Sequence, residues 1–414
     1  MKATSLFQSL TGDASADEGA EARNGLRHAA SLSLTKIADG LIDPKLVLSW
    51  LLTGLGAPFY AGLLVPIREA GALLPQIVFA GWVGRMRYRK RAWAGGALGQ
   101  GVAAALIALA ALLLTGAAAG IAVCAALAVL AVARALSSVS YKDVLGKTIQ
   151  VRRRGAVTGF AGSAASAAVI LFAVLLISGV IKGELALIAA VALAAVLWIV
   201  GGLVFLTLEE EPSDPDTDGG GLHLSILKDN PVLRQFILVR GLLVSTALAP
   251  PYFVILGGGD DGQLGRLGVL VLASAVASLI SSWIWGRTAD RSSRKVMMAA
   301  GVLGAVAMLA AVALAWAGLA GTLWAMPATL FVLMLAYHGV RQGRSTYLVD
   351  IAPEDARAAW TAVANAAIGS LLLIAGAFGG ALSFLGTQAV LLGFAAMSAL
   401  AAVAAIWLEE AEAG

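Results

Sequence analysis

Long apolar stretches alternate with short polar or glycine-rich breaks along almost the whole chain from residue 32 onward. A helix needs about 20 mostly apolar residues to cross a bilayer. Twelve segments of that kind can be laid out, at 32–56, 59–84, 92–115, 119–141, 155–178, 184–207, 232–256, 263–286, 296–317, 321–345, 358–380 and 386–408. Breaks such as GAAAG at 116–120, GVIKG at 179–183 and LGGGDDG at 256–262 separate neighbours. One long polar stretch, 208–230, falls near the middle of the chain. The pattern predicts an all-α polytopic membrane protein with twelve transmembrane helices. Its parts are a mobile tail (1–30), a six-helix bundle (31–207), a linker (208–230), a second six-helix bundle (231–409) and a short tail (410–414).

Composition agrees with that layout. Of 414 residues, 59% are hydrophobic and 13% charged, against about 25% charged in soluble domains. A net charge of +4 is no argument for a nucleic-acid partner in such a chain. The basic residues gather instead in RMRYRKR at 85–91, YKDVLGKTIQVRRR at 141–154 and GRTADRSSRK at 286–295. Basic loops stay in the cytoplasm, so both termini, the linker and both tails are expected there, with a bacterial inner (plasma) membrane as the compartment. The lone Cys124 cannot close an intramolecular disulfide. Three histidines and one cysteine make a metal site unexpected. No phosphate loop ending in GK[ST] and no G-x-S-x-G elbow occurs, so neither a cofactor nor an enzyme is expected.

The two halves repeat each other. GWVGRMRYRK at 81–90 lies without gaps on GRTADRSSRK at 286–295, an offset of 205, and Arg154 falls opposite Arg357, an offset of 203. GRTADRSSRK resembles the loop signature of the major facilitator superfamily, G-x-L-A-D-R-x-G-R-K. It matches at Gly286, Ala289, Asp290, Arg291, Arg294 and Lys295 and departs at Thr288 and Ser293. The resemblance implies a pair of six-helix bundles that expose a central site alternately to the two sides of the membrane. It also implies a gate in which Asp290 faces the positive end of a helix in the other half, here the one beginning near Gly155, with Gly286, Arg291, Arg294 and Lys295 around it. In the N-terminal copy Arg85 takes the Asp position, so the two gates are expected to differ. Arg134 is followed by ALSSVS rather than the x-x-Q-G of many proton-driven exporters in the family, which counts against a standard drug–proton antiporter.

Charges inside the spans are the candidate chemistry, because an ionisable side chain in hydrocarbon costs several kcal/mol and normally faces the bundle interior. Arg68 and Glu69 sit in GLLVPIREAGALLPQ at 62–76, with Arg68 13 residues before Gly81, or about 20 Å along a helix. Neighbouring residues point about 100° apart, so the two are not expected to pair with each other. TKIADGLIDPKLVL at 35–48 adds Lys36, Asp39, Asp43 and Lys45. Either a helix begins at Pro44 with Asp43 as its N-cap, or Pro44 kinks a longer helix. Laying IDPKLVLS on LAPPYFVI at 248–255 puts Pro44 on Pro250 and supports the kink. Lys36, Asp39 and Asp43 then share one face. Span seven carries Arg240, and YHGVRQGRSTYLVD at 337–350 carries His338, Arg341, Arg344 and Asp350. None of Asp43, Lys45, Arg68 and Glu69 recurs at its repeat partner.

These residues suggest a small-molecule transporter. The expected substrate site is Arg68, Glu69, Lys45, Asp43 and Arg240, with Gln76 as polar lining. Protons, the expected coupling ion, would ride on Glu69, Asp43, Asp39 or His338. Asp143, Arg341, Arg344 and Asp350, near the cytoplasmic ends, would form gating ion pairs. Three cations in the cavity favour an organic anion or zwitterion, carried by a monomer in the lipid bilayer. The competing readings are efflux of apolar or cationic compounds, a non-transporting sensor or assembly factor on the same scaffold, and a purely structural network of buried ion pairs.

Overall fold

The computed structural model describes residues 3–13, 19–214, 225–258, 264–289, 291–353 and 356–410. Among them the chain is helical. Span one is Ala20–Leu41 and Val47–Gly54, and span two is Pro58–Leu73 and Gln76–Gly84. Spans three to six are Lys90–Leu113, Gly116–Thr148, Val151–Ile177 and Glu184–Leu206. Span seven is Pro231–Leu243, Ser245–Leu248 and Pro250–Gly257. Spans eight to twelve are Leu264–Ala289, Ser293–Trp316, Ala325–Ile351, Arg357–Ser383 and Thr387–Ala404. Ten of these stretches are long and apolar enough to cross a membrane. Span one is left out of that set because its long piece, Ala20–Leu41, carries Glu21, Arg23, Arg27, Lys36 and Asp39. Span ten is left out because YHGVRQGRSTYLVD makes its second half polar. Leu113, Trp283 and Ile374 point outward, each more than 60% exposed, as side chains facing lipid do.

The breaks have local causes. Proline lacks the N–H a helix interior needs, and Pro44, Pro75 and Pro250 mark the interruptions in spans one, two and seven. At Pro44 the result is an unwound turn over 42–46 rather than a kink. Side chains satisfy its freed backbone: the Lys45 N–H donates to Asp43 Oδ1 at 2.6 Å, and the Ser49 hydroxyl donates to the Pro44 carbonyl at 2.7 Å.

The tail expected over 1–30 differs in its described part. Ala3–Thr11 is a helix and span one starts at Ala20. Phe7 is fully buried among Ala22, Ala29 and Val157. Its ring lies so close to Gly25 that a Cβ there would sit 2.0 Å from it. Arg153 then ties Asp13 and Glu21 at 2.9 and 2.7 Å. Asp290, the expected gate residue, lies outside the described residues, as do 215–224 of the linker and 411–414.

The two bundles pack against each other mainly at the end away from the basic loops. There Phe59 meets Phe384 with ring centroids 6.1 Å apart, and Gly62 lies under the Tyr252 hydroxyl. Gly268 approaches the Ala173 carbonyl so closely that a Cβ would come within 2.8 Å of it. At the basic end Ala20–Leu41, Gln76–Gly84 and Pro231–Leu243 pack chiefly inside their own halves. The interface is closed at one end and parted at the other, with the charged residues between.

Candidate functional site

The unwound turn of span one projects into a central cavity of about 350 Å³, within the range of small-molecule sites. Lys36, Asp39, Asp43 and Lys45 line it from span one, Ser166 from span five, Ser274 and Ser278 from span eight, and Tyr337, His338 and Arg341 from span ten. Both halves therefore contribute. A broken helix suits this role, because an interrupted ladder presents backbone and side chains that a continuous helix would hide. Lys45 is buried, and its Nζ rests 3.6 Å from the centroid of the Tyr337 ring. This cation–π contact joins the bundles across the centre.

Asp39 holds the N-terminal bundle together. Arg134 of span four gives it hydrogen bonds of 2.6 and 2.7 Å. Arg68 of span two, itself buried, bonds the same carboxylate. Arg68 thus pairs with Asp39 and not with Glu69. Arg134 is the participant that reading the sequence for site residues passed over. An arginine in the middle of AVLAVARALSS was the available signal, by the same cost argument that picks out Arg68.

A second cavity of about 70 Å³ lies beyond Tyr337. Arg240, Arg341 and Arg344 line it together with Glu69, Thr246 and Tyr337, and its other walls are apolar, including Leu73, Leu243, Val340 and Leu372. Arg240 is 5% exposed and donates to Asn365 Oδ1 at 3.3 Å, while its Nε has no partner among the described residues. Among the described residues Glu69, Arg341 and Arg344 have no ion-pair partner. Arg341 and Arg344, expected as gating pairs at the cytoplasmic ends, thus face the cavities instead. Gln76 lines neither cavity; its amide donates to the Ala72 carbonyl at 2.7 Å beside the Pro75 break.

The remaining gate candidates stay within their own halves where their partners are recorded. Asp143 pairs with Arg89 at 2.8 Å and Lys147 at 2.7 Å. Glu210 caps span three by accepting from the Arg89 and Lys90 N–H groups at 3.0 and 2.9 Å. Arg294 binds Glu410 at 2.6 Å. Arg291 and Lys295 are exposed, Gly286 has open space around it, and Asp350 is exposed. Hydrogen bonds from Arg23 and Arg27 tie the linker's Glu209 to the base of span one and hold its carboxyl down to about 2. The helix expected to start near Gly155 starts at Val151. Among the described residues no cluster of metal-ligating side chains forms.

Two helical bundles around a charged cleft, with broken helices at its centre, define a polytopic membrane protein of paired-bundle architecture. Solved structures share that fold over nearly the whole chain. A mutant of the nucleoside transporter NupG superposes with a TM-score of 0.71 at 16% identity, covering 93% of this chain and 100% of that one. The POT family transporter PepTSo gives 0.70 at 11% identity, over 93% and 97%. A D-xylose–proton symporter gives 0.68 at 14% identity, over 94% and 98%. At these identities the likeness is one of fold alone. Residues 258–414 match the family model described as Major Facilitator Superfamily. The "Staphyloferrin B transporter" of Staphylococcus aureus (strain NCTC 8325 / PS 47) is 29% identical over 168 residues, 40% of this chain and 39% of that protein. The match therefore spans well under half of that relative's length. The likeness to the major facilitator superfamily is thus carried in sequence by the C-terminal part of the chain, 258–414.

Proposed function

We propose that this protein is a secondary active transporter that moves a small organic anion by alternating access, caught here open toward the cytoplasm. The supporting observation is the charge balance around the two cavities. Lys36, Lys45, Arg68, Arg134, Arg240, Arg341 and Arg344 face Asp39, Asp43 and Glu69. Seven cations against three acids, among the described residues, leave an excess that an anionic solute would neutralise. A cleft with apolar walls strengthens such attraction relative to water. The positive-inside rule places the basic, open end and both termini in the cytoplasm, with a bacterial inner membrane as the compartment and a monomer as the working unit.

The same balance counts against efflux of cationic compounds, which would meet like charge on entry. Coupling to protons falls to Glu69. Asp39 already accepts from two guanidinium groups, and protonating it would break charge-assisted bonds. Among the described residues Glu69 has no such partner, and it lines the smaller cavity with Arg240, Arg341 and Arg344. Asp43, whose carboxylate holds the Lys45 N–H, is better suited to fixing the unwound turn. His338 lines the larger cavity and would tune it rather than carry the proton.

A thermal-shift screen of purified protein against acidic, neutral and cationic metabolites tests the reading. A ligand at about 100 times its Kd stabilises by about 2.7 kcal/mol. Acidic compounds are expected to raise the melting temperature and cationic ones to leave it unchanged. A screen in which only cations stabilise would reverse the assignment.

A further inference from the structure

The second cavity carries an inference that rests on the anion reading and narrows it. We propose that the cavity beyond Tyr337 is a separate acid-binding subsite, so that the transported solute is an organic di-acid with one carboxylate in each cavity.

Arg240 is more than nine-tenths buried and lines this cavity with an Nε that no atom of the described residues satisfies. A buried donor without a partner is costly, and a guanidinium is shaped to take a carboxylate through two parallel bonds. Arg341 and Arg344, without ion-pair partners among the described residues, line the same cavity as Arg240 and Glu69. Its volume of about 70 Å³ is a small fraction of the larger cavity's 350 Å³, which suits one small acidic group rather than a whole solute.

The larger cavity has its own cations. Lys36 and Lys45 line it, and Arg341 reaches both chambers. Between them stands Tyr337, a wall of both, with Lys45 on its ring. An acid group entering the larger cavity offers Lys45 a full negative charge in exchange for a ring face. Tyr337 is then released, and the two chambers join around one ligand. A mono-acid can engage only one chamber. The di-acid gains from both, because the second contact is intramolecular once the first is made.

Calorimetric titration of the full-length protein in detergent separates the cases, using acetate and propionate against malonate, succinate, glutarate and adipate, with phosphonoacetate as a phosphorus-acid arm. At least one dicarboxylate is expected to bind about 100-fold more tightly than either mono-acid. Arg344→Gln is expected to remove most of that preference. Val340→Phe, which fills the subsite without touching a charge, is expected to do the same and covers the case in which Arg344→Gln fails to fold. Equal affinity for mono- and dicarboxylates would overturn the subsite while leaving the anion reading intact. Preference for phosphonoacetate over every dicarboxylate would overturn its carboxylate chemistry. Failure of every acid to bind would overturn the anion reading as well.

Discussion

Asp39→Ala is expected to lower the stability of the folded protein by about 3 kcal/mol and to abolish transport. The carboxylate joins three helices through Arg68 and Arg134. Without it, two guanidinium groups face each other, and Arg68 is 8% exposed at its side chain. Stranding a buried charge costs about 3–5 kcal/mol. The lower end applies because Arg134 is 41% exposed to the cleft and solvent screens it. The measurement is the melting temperature of purified protein. A second variant makes the mechanism specific: in Asp39→Ala/Arg68→Leu the stranded cation is gone, so part of the loss should return. Contacting residues are expected to depart from additivity in this way. Strictly additive losses would mean that the three side chains do not act as one unit.

Glu69→Gln is expected to uncouple the carrier. Glutamine keeps the shape and can still accept a hydrogen bond, but it can neither carry the proton nor repel an acidic solute. A pH step of one unit can sustain about tenfold accumulation per proton. The variant should lose that accumulation while still exchanging internal for external solute at a rate near the parent's. Uptake driven by a pH step, set beside counterflow without one, reads the two properties separately. If Glu69→Gln accumulates normally and Asp43→Asn or His338→Gln does not, the proton travels on span one or span ten.

Much of the fold was legible because membrane helices are dictated by composition over 20-residue windows, and loop charge adds direction. The repeat offset did more, since it laid Pro44 on Pro250, and both fall at breaks in their helices. What it could not convey was the size of the break. A proline removes one N–H, whereas the unwound turn at 42–46 also depends on Asp43 and Ser49 turning back to satisfy the freed backbone.

The site was legible residue by residue but not pair by pair. The cost of charge in hydrocarbon picked out Arg68, Glu69 and Arg240. It says nothing about which long side chain meets which, because Asp39 and Arg134 are 95 positions apart in sequence and neighbours only in space. Counting three cavity cations likewise understated the positive excess. Arg341 and Arg344 were assigned to the membrane edge from their place near the end of span ten. That helix runs on to Ile351, which sets both arginines deeper, against the cavities. The tail was misread for a related reason. Its polar composition hid Phe7, whose burial depends on the close approach that Gly25 allows.

Flux of acidic solutes through proteoliposomes holding only this protein tests the central claim most directly. The expected result is uptake of a labelled dicarboxylate well above that of empty liposomes, accelerated by an inward proton gradient and lost in Arg240→Gln. Uptake no faster than in empty liposomes across the acid series, with cationic or neutral solutes moving instead, would contradict it.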